Sequence, residues 1–222
     1  MNERGDIQID VGRVRDQLSA RSEELDGIDP DYGRHVLNPH FRANEPLTPA
    51  AVLVPLVQRD EETTIILTKR TEGLKDHPGQ ISFPGGRVDP GDGGPVDTAL
   101  RETEEEIGIS RDKIEVLGRL DTYLTATGFS VTPVVGRVET PFQTTPEPGE
   151  VAEVFEVPLS FLLDPANHER EERWFGDMQW FAYAMPYAHY RIWGITAGMI
   201  RNFYEILLSP PYRALDQDRE QI

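Results

Sequence analysis

The spacing of hydrophobic residues changes from one part of this chain to the next, and these changes predict its elements. Near the amino terminus Val11, Val14 and Leu18 recur at intervals of three and four, which predicts a helix over residues 11–25. From residue 46 onward the hydrophobic residues alternate with polar ones or form short β-branched runs, which is typical of strands. The predicted strands are 50–58, 63–70, 114–124, 131–139, 152–159 and 178–185, and a last helix is predicted at 195–209.

The same pattern divides the chain into three parts. Residues 1–45 are mostly polar and are interpreted as an N-terminal arm that carries the first helix, whereas 46–210 form one domain and 211–222 a polar tail. Within the domain, residues 71–94 are rich in Gly, Pro and charge and are predicted to form a long loop. The Pro-rich stretch 139–150 is predicted to be a loop rather than a linker, because strand texture resumes directly after it.

Charge and composition narrow the classes of function. Lys and Arg number 22 and Asp and Glu 39, for a net charge of −17, which argues against a long groove for nucleic-acid phosphates. The chain has no cysteine, so disulfides, thiolate metal sites and a Cys nucleophile are excluded. The first ten residues lack the apolar stretch of a signal peptide, and the longest apolar run, 50–57, is too short to cross a membrane. We expect a cytoplasmic protein without a membrane partner.

A helix is predicted at residues 95–107, between Pro95 at its first position and Gly108 just beyond its end. Its apolar or small residues share one sector of the helix, and these are Val96, Ala99, Leu100, Thr103 and Ile107. At about 100° per residue, Glu102, Glu105 and Glu106 fall together in the adjacent sector. Glu104 falls on another side and is interpreted as a solvated bystander.

Three glutamates in the last turns of one helix are electrostatically unfavourable. Carboxylates spaced i, i+4 repel each other, and acids near a helix C-terminus oppose the helix dipole. Arg101 can offset part of this repulsion and fix Glu105, but it cannot neutralise all three. A hard divalent cation such as Mg²⁺ or Mn²⁺ could, because it prefers oxygen ligands. The alternative is that the acidic run is only a solvated face of the helix.

The stretch "FPGGRVDPGD" at 83–92 lies just before the helix. Gly85 and Gly86 allow the main chain to approach a metal ion or a phosphate closely, and Asp89 and Asp92 add two acids to the same entrance. An ordinary turn is the alternative, since Pro-Gly and Gly-Asp are common in loops.

Taken in order, "GGRVDPGD…ALRETEEEIGI" resembles the Nudix box. Residues 101–109 follow its pattern except that Thr103 takes an aliphatic position. The upstream acid is Asp92 rather than Glu, and its interval to Arg101 is one residue longer than usual, so the resemblance assigns Asp92 no role. It implies an α/β/α sandwich with a mixed sheet, and hydrolysis of a nucleoside diphosphate linked to another moiety.

The resemblance also implies roles for individual side chains. Glu102 and Glu106 would be direct Mg²⁺ or Mn²⁺ ligands, and Glu105 a further ligand or the holder of the catalytic water. Arg101 would orient this cluster. Glu150, at the end of the predicted 139–150 loop, is our candidate for the general base or an outer metal ligand; an exposed loop acid without function is the alternative.

A second segment, "ILTKRTEGLKDHPGQISFPGG" at 66–86, resembles the signature of the coenzyme A pyrophosphatase subfamily, and "WGITAGMIRN" at 193–202 resembles its end. Within the signature, Thr71 stands where Ser or Ala is usual and Lys75 where Arg is usual. The predicted substrate-binding residues are Arg70, Lys75, His77, Gln80, Gly85 and Gly86. The cations could bind phosphates of coenzyme A, or could instead stabilise their own loop through ion pairs with Glu72 or Asp76.

Three hypotheses follow from these resemblances. The first is metal-dependent cleavage of coenzyme A, or of its acyl or oxidised forms, to 4′-phosphopantetheine and 3′,5′-ADP. The second is a broader nucleoside-diphosphate hydrolase acting on NADH or ADP-ribose. The third is a Nudix module that senses a nucleotide without catalysis. The resemblance further suggests a homodimer, and no nucleic-acid partner is expected.

Overall fold

The structure is a computed structural model that describes residues 9–25, 46–125, 127–175 and 178–208. Its helices are α1 (Val11–Leu25), α2 (Pro95–Ile107), α3 (Leu159–Leu162) and α4 (Ile195–Leu208). Its strands are β1 (Thr48–Gln58), β2 (Thr63–Arg70), β3 (Ile81–Ser82), β4 (Gly85–Arg87), β5 (Ile114–Arg119), β6 (Tyr123–Leu124), β7 (Phe129–Val138), β8 (Val151–Pro158), β9 (Glu169–Phe175), β10 (Met178–Tyr187) and β11 (Tyr190–Trp193). Short 3₁₀ turns lie at Arg111–Lys113 and Pro165–Asn167.

Eight of the described strands form one mixed sheet around β1. Strand β1 runs parallel to β7 along its whole length, with Thr48 opposite Phe129 and Val57 opposite Val138. On its other side β1 pairs antiparallel with β4 near its start and with β2 near its end. The predicted hairpin of β1 and β2 and the predicted mixed sheet are confirmed.

Apolar side chains cover both faces of this sheet. Along β2 they alternate with a period of two, because Ile65 and Leu67 join one cluster and Ile66 the other. Helix α2 packs on the Ile66 face, whereas α1, α4 and a small antiparallel sheet of β9, β10 and β11 cover the opposite face. The sheet therefore lies between two layers, as expected for an α/β/α sandwich.

One loop prediction and one strand prediction were wrong in detail, and two further strands were missed. The predicted 71–94 loop contains β3 and β4, which are too short to show an alternating pattern. The predicted strand 114–124 is divided into β5 and β6, with a register shift beside Gly118. Strand β9 was missed because its sequence, "EREERWF", is mostly charged, and β11 because it is four residues long.

Helix α1 is packed against the domain rather than separate from it. Val14 and Leu18 are buried in the same cluster as residues of α4, and Arg15 forms an ion pair of 2.6 Å with Glu115 on β5. Most of the rest of the predicted arm and the whole predicted tail lie outside the described residues.

None of the described helices is both long and apolar enough to cross a membrane.

Candidate active site

Helix α2 begins and ends where the sequence predicts. Pro95 occupies its first turn, and Gly108 ends it in the left-handed conformation with φ 72°, its N–H donating to Glu104 O at 3.0 Å. A Cβ at Gly108 would lie 2.9 Å from the Cβ of Thr145, so the position excludes a side chain for a second reason. These two constraints fix where the acidic last turns of the helix lie.

The three glutamates predicted to share a face differ in depth. The residue Glu106 is only 5% exposed, whereas the side chains of Glu102 and Glu105 are 18% and 60% exposed. The structure thus places Glu106 under the surface, Glu102 at the surface boundary and Glu105 at the rim. Glu104 lies elsewhere, 3.8 Å from Arg111.

Glu106 carries the strongest electrostatic perturbation of the site. Burial raises the pKa of its carboxyl to about 8, and the nearby charges of Glu102 and Glu150 add to this rise. Two groups oppose it, namely the Gly85 N–H, which donates to Oε2 at 3.2 Å, and the charge of Arg70. These groups compensate the burial only in part, so the carboxylate is held in a position that favours an additional cation.

Glu102 lies against the glycine pair of β4. A Cβ at Gly86 would lie 2.5 Å from the Glu102 Cδ, and one at Gly85 would collide with Ala51 O and lie 2.6 Å from the Cα of Val52. Gly86 therefore lets β4 approach helix α2 closely, and Gly85 lets β4 approach β1. Burial raises the pKa of Glu102, with smaller increases from Glu105 and Glu150, while Arg101 lowers it.

Arg101 joins the glutamates to the loop before the helix. Its Nε and Nη2 donate to the two carboxylate oxygens of Asp92, each at 3.0 Å, and Nη2 also donates to Arg87 O at 3.2 Å. Its Nη1 lies 2.9 Å from Glu102 Oε1 and 2.8 Å from Glu105 Oε2. The bond with Asp92 is the largest of the effects that raise the pKa of Arg101. Arg101 thus orients two of the three acids, as the sequence indicates.

Asp92 is the residue that sequence reasoning left without a role. Its carboxylate accepts hydrogen bonds from Arg101, from the Asp89 N–H at 2.9 Å and from Thr98 Oγ1 at 2.7 Å. These bonds, led by that from Arg101, hold its pKa well below the usual range. The spacing of nine residues gives no helical register, so no periodic signal could have found this pair.

Arg70 and Glu150 lie outside helix α2, and their charges act on its glutamates. Arg70 ends β2, and its buried Nε has no hydrogen-bond partner among the described residues. Its charge lowers the pKa of Glu106, whereas that of Glu150 raises the pKa of both Glu102 and Glu106. Glu150 is itself exposed. The predicted base candidate thus influences both carboxylates, and the predicted cation influences Glu106.

The remaining predicted substrate residues lie in the loop after β2. Lys75 and His77 are exposed, and His77 adopts a left-handed backbone with φ 56°. Gln80 contributes its main chain, since its carbonyl accepts from the Arg70 N–H at 2.9 Å. In the described part of the chain no ion pair joins Arg70 or Lys75 to Glu72 or Asp76. The alternative in which these cations only brace their own loop through such pairs thus gains no support.

With this geometry in place, comparison with known proteins decides the family. The profile described as "NUDIX domain" matches residues 47–201. The chain belongs to the Nudix family. Two curated Nudix relatives carry the name "Uncharacterized Nudix hydrolase NudL". The protein from Enterobacter sp. (strain 638) is 42% identical over 156 residues, which is 69% of this chain and 79% of the relative. That from Photorhabdus laumondii is 39% identical over 153 residues, 69% of this chain and 81% of the relative.

Solved Nudix structures are more distant. The crystal structure of a MutT protein from Methanosarcina mazei covers 75% of this chain and 96% of its own, with 18% identity and a TM-score of 0.46. At this identity and TM-score the likeness carries no information about a substrate. The Nudix assignment therefore rests on the family profile and on the NudL relatives.

Nudix hydrolases generally need divalent ions such as Mg²⁺ or Mn²⁺, and the residues present fit such an ion. In the described part of the chain no three acidic or histidine side chains are already gathered as a complete metal site. Glu102 and Glu106, however, are all-oxygen donors whose burial is only partly compensated, which suits a hard cation. Arg101 contacts both Glu102 and Glu105, but the Glu105 side chain is 60% exposed, so it suits an outer position better than a central one.

Proposed function

We propose that this Nudix protein is a metal-dependent pyrophosphatase that hydrolyses coenzyme A and its acyl or oxidised derivatives. One observation carries the proposal, namely that Arg70, whose buried Nε–H has no hydrogen-bond partner among the described residues, is close enough to the under-compensated Glu106 for its charge to lower the pKa of that carboxyl. The carboxylates are suited to bind a cation, and the guanidinium is suited to bind an anion. A diphosphate that arrives with its divalent ion satisfies both at once.

The reaction is the hydrolysis of a phosphoanhydride. Water adds to one phosphorus, the bond from that phosphorus to the bridging oxygen breaks, and the products are 4′-phosphopantetheine and 3′,5′-ADP. Glu102 and Glu106 would hold the Mg²⁺ or Mn²⁺, which would supply charge neutralisation at the diphosphate oxygens and activation of water. Glu150 takes the proton from the water, Arg70 binds a phosphate oxygen, and Arg101 keeps Glu102 and Glu105 in place.

The cations near the site support coenzyme A as the substrate. Coenzyme A carries a 3′-phosphate in addition to its diphosphate, so its site needs positive charge beyond that of the metal ion. Lys75 and His77 lie exposed in the loop that follows Arg70, and in the described residues neither is consumed by an ion pair. The resemblance of residues 66–86 to the coenzyme A pyrophosphatase signature points to the same substrate.

A substrate panel tests the proposal directly. The protein is incubated with Mg²⁺ or Mn²⁺ and coenzyme A, dephospho-coenzyme A, NADH, ADP-ribose or oxidised dGTP, and the products are identified by mass. We expect 3′,5′-ADP from coenzyme A and slower cleavage of dephospho-coenzyme A. Cleavage of dephospho-coenzyme A and ADP-ribose as fast as that of coenzyme A would favour the broader hydrolase. Binding without turnover of any substrate would favour a sensing module.

The role of Arg70 is tested by Arg70→Lys, which keeps the charge but removes the buried Nε–H and the planar fork. We expect KM for coenzyme A to rise roughly tenfold, about 1.4 kcal/mol, with a smaller change in kcat. Arg111→Lys is the matched control, because Arg111 pairs with Asp97 and Glu104 away from the site. An unchanged KM in Arg70→Lys would remove Arg70 from substrate binding.

A further inference from the structure

The segment 145–150 is fastened to the acidic end of helix α2. The Thr145 N–H donates to Ile107 O at 2.8 Å, and the Glu147 N–H donates to Glu106 O at 2.9 Å. These two bonds satisfy carbonyls of the last helical turn that have no partner within the helix. The loop that carries Glu150 is thus anchored at one end to the residue that we assign as the buried metal ligand.

The other end of this segment is fastened to β2. The Thr71 N–H donates to Glu150 O at 2.9 Å, and the Thr71 hydroxyl donates to Gly149 O at 3.1 Å. Thr71 directly follows Arg70, so one residue joins the main chain at Gly149 and Glu150 to the end of the strand that carries the guanidinium. Hydrogen bonds therefore connect the end of α2 through segment 145–150 to the end of β2.

From these contacts we infer that Thr71 is a positioning residue for hydrolysis. Its hydroxyl holds the Gly149–Glu150 peptide so that the Glu150 carboxylate stays at the distance from Glu102 and Glu106 at which a water molecule can be deprotonated. The inference deepens the proposed function and rests on its assignment of Glu150 as proton acceptor.

The hydroxyl adds to other bonds of this segment, in which the Glu150 N–H donates to Glu147 O at 3.0 Å and the Gly149 N–H donates to Glu147 Oε1 at 3.3 Å, and together they act on the backbone of Glu150. Its side chain is exposed and makes no hydrogen bond or ion pair within the described residues, so its position follows from its backbone. Gly149, which precedes it, adds backbone freedom to the loop. The hydroxyl bond to Gly149 O removes part of that freedom, and small displacements of a catalytic group lower kcat strongly.

The test compares Thr71→Val, which removes the hydroxyl at nearly constant shape, with Thr71→Ser, which keeps it. We expect kcat to fall roughly tenfold in Thr71→Val, with KM nearly unchanged, and to be restored in Thr71→Ser. Thr63→Val is the matched control. It removes a hydroxyl from the start of the same strand, where Thr63 Oγ1 donates to Gln58 Oε1, and should leave kcat unchanged. Wild-type kcat in Thr71→Val, or equal losses in all three variants, would overturn the inference.

Two further measurements separate positioning from a general loss of stability. If Thr71 acts through Glu150, Thr71→Val should cost nothing more in a Glu150→Gln background, whereas additive losses would contradict the inference. Amide hydrogen exchange should accelerate in segment 145–151 of Thr71→Val and stay unchanged in β1. These assays use coenzyme A or, if the wild type cleaves only ADP-ribose, that substrate. Failure of the coenzyme A proposal and failure of the Thr71 inference are then distinguishable.

Discussion

Two acidic groups on either side of Arg101 have opposite environments. Asp92, before the helix, is 5% exposed at its side chain and accepts hydrogen bonds from Arg101, Thr98 and a main-chain N–H. Glu106, in the last turn, is 5% exposed as a whole residue, and among the described residues its carboxylate accepts only from the Gly85 N–H. The pKa of Asp92 is lowered and that of Glu106 is raised to about 8.

The difference distinguishes a carboxylate that stabilises the fold from one that suits a metal ion. A buried carboxylate that is saturated with donors stabilises the fold in its charged form, and Asp92 has this role by fixing Arg101. A buried carboxylate with one donor destabilises its charged form until a cation arrives, and Glu106 with Glu102 fits that role. Hydrogen bonds from donors dominate the environment of Asp92 and burial dominates that of Glu106, so the two acids differ in both respects.

The largest expected effect on activity comes from removing the carboxylate charge of Glu102 or Glu106. Glu102→Gln and Glu106→Gln should each lower kcat about 100-fold or more, since even outer partners of a metal site are worth about 10- to 100-fold. Both variants should remain folded, and metal-free Glu106→Gln should melt no lower than the wild type because a buried charge is gone. Kinetics, calorimetric Mn²⁺ titration and thermal melts by circular dichroism check this. Retained Mn²⁺ binding in both variants would contradict the metal assignment.

The two carboxyls should also give the metal-free protein opposite pH dependences. The unfolded chain ionises Glu106 near its ordinary value of 4.5 and the folded chain only at about 8, so stability falls as pH rises between these values. The loss should amount to about 2 to 4 kcal/mol and disappear in Glu106→Gln. Asp92 has a lowered pKa, so its contribution is present above 3.8 and is lost as pH falls below it. Urea unfolding with a chelator at pH 3 to 8 measures both slopes.

Gly86 sharpens the comparison without touching a charge. In Gly86→Ala the new Cβ must displace the end of the Glu102 side chain, which is flexible, so stability should change little. The affinity for Mn²⁺ should fall roughly tenfold because one carboxylate is misplaced. Gly91→Ala is the matched control, since no atom lies within 4 Å of a Cβ there. Equal Mn²⁺ affinity in the two variants would show that the close approach at Gly86 does not position Glu102.

The smallest effect is expected at Glu104, the acid of the same run that lies outside both groups. Its pairing with Arg111 is long, at 3.8 Å, and both side chains are exposed. Glu104→Gln should change the free energy of unfolding by less than about 0.5 kcal/mol and leave kcat unchanged. A clear loss of activity would mean that the acidic run acts as a whole rather than residue by residue.

The sequence predicted those features that depend on interactions between neighbouring residues. Pro95 and Gly108 delimit α2 through backbone constraints that involve only neighbouring residues, and the helical repeat indicates which glutamates lie side by side. It could not show that Glu106 is buried deeper than Glu102 and Glu105, because that depth depends on how closely β4 approaches the helix. The Asp92–Arg101 pair depends likewise on the path of the loop between them. The contact of Thr71 with Gly149 joins positions 78 residues apart and has no local signature.

The packing of α1 bears on how much of the chain makes up the folding unit. Leu18 sits over the bulge at Gly118, where a Cβ would lie 2.8 Å from the Cβ of Leu18, and Val14 is fully buried. A chain that began at residue 46 would lack this helix and would expose the apolar residues of β5 and α4 that it covers. Exposed apolar surface of this kind is prone to self-association. The N-terminal helix covers an apolar surface of the domain to which it is covalently joined. Its removal should lower solubility more than it lowers the rate of catalysis.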